Sequence, residues 1–158
     1  MGSSVTRTDY VFSKGNLPVH SYLVELTIAG DSIDELALSQ QIGLEATRFF
    51  KKGEERSPGR IMERSLWSLE VLPDNGKEWL SLEEGLMCLV GKLTPARNHL
   101  KELAAEYDVF ISCGHFYSSF GGGPTLSPKM LELLAQFGVS LRISDYWGEE
   151  GPEEGGER

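Results

Sequence analysis

Six basic residues, Arg48, Lys51, Lys52, Arg56, Arg60 and Arg64, crowd into one short stretch of a chain whose net charge is −9. Guanidinium groups present forked donors that match carboxylate and phosphate oxygens, so the chemistry such a cluster could do is anion recognition rather than bond making. The plainer interpretation is a solvated hairpin whose cations pair with Glu54, Glu55 and Glu63, since most charge runs are solvated faces. A second group lies further on, where His115 and Tyr117 precede the loop Gly121-Gly122-Gly123-Pro124. His115 with Ser118 could suggest hydrolase chemistry, but the chain has no nucleophile elbow. No aspartate is placed to orient the ring, because Asp108 sits on the opposite strand face, seven residues away. The glycine loop lacks the Lys-Ser/Thr of a phosphate loop and reads as a connector. Arg48, Arg56, Arg60, Arg64, His115 and Tyr117 are therefore the candidate binding residues, and no catalytic set emerges.

Metal and acid–base chemistry find less support. Cys88 and Cys113 stand in apolar surroundings, and His20, His99 and His115 are scattered, so no ligand spacing appears and no metal or cofactor is expected. Glu83 and Glu84 fall in the first turn of a helix, where negative charge complements the dipole.

The elements that must position these side chains follow from periodicity. His20 to Ala29 alternates Tyr22, Val24, Leu26 and Ile28 against Ser21, Glu25 and Thr27, which predicts a half-buried strand. Ser32 with Glu35 forms a capping-box pattern for a short helix that Gly43 stops. A short strand at Thr47 to Phe50 and a longer one from Ile61 to Leu72 follow, the latter placing Arg60 and Arg64 on one face and Trp67 in the core. Ser81 begins a helix with a Leu82, Leu86, Leu89, Val90, Leu93 stripe. Thr94-Pro95 reads as the N-cap and first residue of the next helix, and Ser127-Pro128 as those of the last, which Gly138 ends. Strands at Tyr107 to Phe116 and from Val139 to Trp147 complete the order. Strands with one polar face and helices with one apolar stripe predict an α+β two-layer sandwich, with one mixed, largely antiparallel sheet and helices on one face.

At 158 residues and 17.5 kDa the chain suits one domain. The expected division is a flexible N-terminal extension over 1–18, an α+β domain over 19–147 and a disordered acidic tail over 148–158. That tail, GEEGPEEGGER, carries −4 and leaves −5 on the remainder. A moderately acidic domain argues against nucleic-acid binding, and no apolar run is long enough to span a membrane. The N-terminus has no apolar signal region, so a cytoplasmic location is expected.

The motifs YLVELTIAG, IGLEATRFFKKGE, Arg64 with Trp67, LTPARNHLKEL and LAQFGVSLRISDYW, taken in this order, resemble the bacterial family known as domain of unknown function 4279. The resemblance covers roughly residues 20 to 147, leaving the N-terminal extension and the tail outside it. It implies a small cytoplasmic protein and carries over no catalytic residues. Some members look like immunity proteins encoded beside secreted toxins. The expected function is thus a non-catalytic, immunity- or antitoxin-like protein acting by stoichiometric contact with a protein partner, such as a basic toxin. The alternative is an anion- or small-molecule-binding domain, conceivably an enzyme, built on the arginine hairpin and the glycine loop.

Overall fold

Strand β1 (His20–Gly30) is the centre of the molecule, because its two edges pair with strands far away in sequence. The computed structural model describes residues 20–148 apart from positions 75 and 77. The expectations for the N-terminal extension and, beyond Gly148, for the acidic tail lie outside the described residues.

On one side β1 pairs antiparallel with β5 (Ser65–Val71), which in turn pairs with β2 (Arg48–Phe50). On the other it pairs antiparallel with β6 (Asp108–Tyr117), against which β7 (Ser140–Trp147) runs parallel. A parallel neighbour needs a crossover, and helix α4 (Pro128–Phe137) supplies it. The order β2-β5-β1-β6-β7 is thus a mixed, mostly antiparallel sheet. A separate two-stranded ribbon joins β3 (Glu55–Ser57) to β4 (Arg60–Ile61).

All helices cover one face. Helix α1 (Glu35–Ile42) packs on α3 (Arg97–Ala104), α2 (Leu82–Leu93) lies along β1 and β5, and α4 rests on α2 and α3. The core between the layers joins Val24, Leu26 and Ile28 to Leu86, Leu89, Leu100 and Met130. Trp67 is fully buried there, and its indole N–H donates to Ser39 Oγ at 3.0 Å. This is the α+β two-layer architecture that the periodicity predicts.

Local structure departs from expectation in four places. Asp34, not Ser32, caps α1, accepting the Ala37 N–H at 3.1 Å. The Thr94 hydroxyl donates to Val90 O instead of capping, so the chain passes through a 3₁₀ turn, Thr94–Ala96, into α3. The strand expected from Ile61 to Leu72 is split, because Met62 exchanges backbone hydrogen bonds with Gly53 and Glu54 of the ribbon. Only from Ser65 does the chain join the main sheet, so Arg60 and Arg64 do not share a strand face. Finally, Ser21, Glu25 and Thr27 are buried, so β1 is covered on both faces. A central strand has no edge in water, and here the polar side chains lie under the larger side chains of the helix-free face.

Candidate functional site

The structure divides the six candidate residues between two places. Arg48, Arg56, Arg60 and Arg64 gather on the helix-free face. His115 and Tyr117 stand on the helix-bearing face, towards the end where β6 and β7 finish.

The first place is a groove beneath the β3–β4 ribbon. Its wider part, about 460 Å³, is lined by Arg56, Arg60 and Arg64 together with Arg142 of β7. A narrower part of about 160 Å³ continues past Arg56 to Arg48, Ser112, Ser144 and Tyr146. Register explains the gathering: Arg48 lies opposite Ser68 on β5, and Arg142 lies opposite Ser112 on β6, so strands from both sheet edges aim cations inward.

Arg48 and Arg64 pair with other carboxylates than Glu54, Glu55 and Glu63. Arg48 binds Glu25, a buried carboxylate of β1, while Arg48 Nε is buried with no hydrogen-bond partner among the described residues. Arg64 and Arg142 both bind Asp108, at 3.4 Å and at 2.9 and 3.1 Å. Arg64 also donates to Ala29 O at 3.1 Å, and the Arg142 guanidinium sits 3.6 Å from the Phe110 ring centroid. Glu55 instead accepts the Gly59 N–H, holding the ribbon's turn. Arg142 and Asp108 were hidden from sequence reasoning because only the long-range register brings them to the hairpin.

The second place contradicts the reading that no aspartate orients His115. Asp145 lies opposite His115 in the parallel register, and His115 Nδ1 is 2.8 Å from Asp145 Oδ1. His20 also stands beside the glycine loop. His20 Nδ1 lies 2.9 Å from His115 Nε2, and His20 Nε2 is 2.6 Å from the Gly121 carbonyl. A carbonyl only accepts, so the His20 ring donates to Gly121 O through Nε2, and the His115 ring stands between His20 and the Asp145 carboxylate. Every ring nitrogen is engaged, so the chain of contacts ties the glycine loop to the sheet.

Aromatic rings continue from this clasp to the surface. Tyr117 stacks on His115 at 4.8 Å and meets Trp147 edge-on at 5.4 Å. Trp147 in turn stacks face to face on Phe120 at 4.6 Å, with the planes 7° apart. Phe120 is 86% exposed and Trp147 52% exposed, so the outer pair presents apolar area to solvent.

Among the described residues no cluster of histidine, cysteine and carboxylate groups is arranged to hold a metal ion, and no helix is long and apolar enough to cross a membrane. No curated protein and no solved structure matches the chain. A family profile matches residues 20–148, the span over which the sheet and its helices are built, and the chain therefore belongs to the family described as Domain of unknown function (DUF4279).

Proposed function

We propose that the protein acts by stoichiometric association with a basic protein, as an immunity- or antitoxin-like inhibitor does, with Phe120 and Trp147 at the centre of the contact. The observation that carries this reading is the exposed, stacked pair on its clasped base. Aromatic side chains dominate binding energy at interfaces, and a pair already fixed in place loses little rotamer freedom on association. Charge supports a cationic partner: Asp145 is exposed near Trp147, Glu149 and Glu150 follow Gly148 in sequence, and the whole chain carries −9. Such a field raises the encounter rate with a basic protein and is screened by salt. Cys88 and Cys113 are both free thiols, which suits a cytoplasmic setting.

Affinity capture from the source cell with the wild-type chain and with Phe120→Ala/Trp147→Ala tests the proposal. The wild type is expected to retain a basic protein in equimolar amount, with at least about tenfold weaker capture by the double variant. Retention of the same protein equally by both chains, or of none by the wild type, overturns it.

A further inference from the structure

Strand β7 closes the sheet with an edge that the fold leaves open. It is eight residues long, whereas β2 at the opposite edge has three. Natural sheets blunt a long edge with lysine, proline, a bulge or a covering element. The sequence SLRISDYW holds no lysine or proline, and its register with β6 runs without a shift. Among the described residues no strand pairs with its outer side. Ile143, Tyr146 and Trp147 stand exposed along it.

The ladder shows which backbone groups wait at that edge. Gly148 N–H donates to Tyr117 O, towards β6, and the direction alternates from one residue to the next. Ser140, Arg142, Ser144 and Tyr146 therefore bond inward, while Leu141, Ile143, Asp145 and Trp147 turn their N–H and C=O groups outward. A second β7 can meet those groups antiparallel about a two-fold axis, which closes the assembly at two chains. Outward residues must then stand opposite outward ones, so the axis passes through one residue rather than between two. An axis at Arg142 opposes two guanidinium groups, and one at Asp145 opposes two carboxylates. An axis at Ile143 sets Leu141 against Asp145 and leaves Trp147 outside the paired strands. The axis at Ser144 sets Leu141 against Trp147 and Arg142 against Tyr146, an apolar pair and a cation–aromatic pair, each made twice.

We infer that the protein self-associates through β7, two copies pairing antiparallel about Ser144 so that their sheets run on as one. A second copy is the occupant because the strand is its own complement. It carries one positive and one negative charge, and in this register neither meets its like. The inference does not rest on the proposed contact with a basic protein, since it uses the backbone of β7, and Phe120 lies outside that strand.

Sedimentation equilibrium of the full chain tests it. The wild type is expected to pass from 17.5 kDa to twice that mass, with a dissociation constant at or below about 100 μM. Ile143→Pro removes an outward N–H and no bond to β6, so the folded variant should associate at least about tenfold more weakly. Crosslinking decides the matter even if that variant does not fold. Opposed residues that bond inward stand about 4.5 Å apart at Cα, which a disulfide can span. Ser144→Cys should therefore form a covalent dimer under mild oxidation, at least about tenfold faster than Ile143→Cys or the wild type with its own two thiols. A wild type still monomeric at about 100 μM, undiminished association of a folded Ile143→Pro protein, or equal crosslinking of Ser144→Cys and Ile143→Cys overturns the proposal.

Discussion

Cys113 shows what the packing does to a single group. It lies at the centre of the sheet, opposite Val24, and burial with the nearby Glu25 carboxylate pushes its thiol up to about 12. In the unfolded chain the same thiol ionises near its ordinary value of 9.0. Between those two values the unfolded chain releases a proton that the folded chain keeps. The resulting contribution to stability is complete below pH 9 and declines as pH rises toward 12. Urea unfolding of wild type and Cys113→Ala should therefore show a steeper alkaline loss in the wild type, with lysine and tyrosine titrations common to both. Parallel curves from pH 8.5 to 11 would show that the thiol is accessible to water.

At the scale of elements, α2 fits closely against the sheet. Gly85 faces β1 where an added Cβ would stand 2.8 Å from Val24 Cγ2 and 2.9 Å from Trp79 Cγ. Gly85→Ala gains helix propensity, yet the helix must lift off the sheet to admit the methyl group. Thermal or denaturant unfolding is expected to show a net loss of about 1–3 kcal/mol. A variant more stable than wild type would mean that the Trp79 ring moves aside at little cost.

Elements of this kind were legible where one local signal decided them. Gly43 and Gly138 end their helices in the left-handed conformation, and Ser81 and Ser127 cap theirs, because each of these roles depends on a few consecutive residues. The ribbon was not legible. Alternation continues smoothly through Met62 and Arg64, and only the backbone pairing of Met62 with Gly53 and Glu54 breaks the strand. The sites divide in the same way. Hairpin residues Arg48, Arg56, Arg60 and Arg64 were found because they are dense in sequence. Arg142, Asp108, His20 and Asp145 were missed because strand register, which no local pattern encodes, delivers them.

For the whole molecule, the central position of β1 governs how the chain reaches its final form. The closest β1–β6 partners in sequence, Ala29 and Asp108, are 79 residues apart, and the pairing extends to His20 with Tyr117. Closing so long a loop precedes any gain from the contacts it brings, which puts folding among the slower mixed topologies rather than the microsecond helical bundles. Of the strands, β1 leaves the ribosome first, and the edge that β6 pairs waits open until β6 has been made. A nascent chain stopped in α3 offers β5 to one edge of β1 and nothing to the other, an open strand edge of the kind that invites aggregation. The arrangement that buries β1 most completely in the finished protein thus leaves one of its edges open while the chain is incomplete.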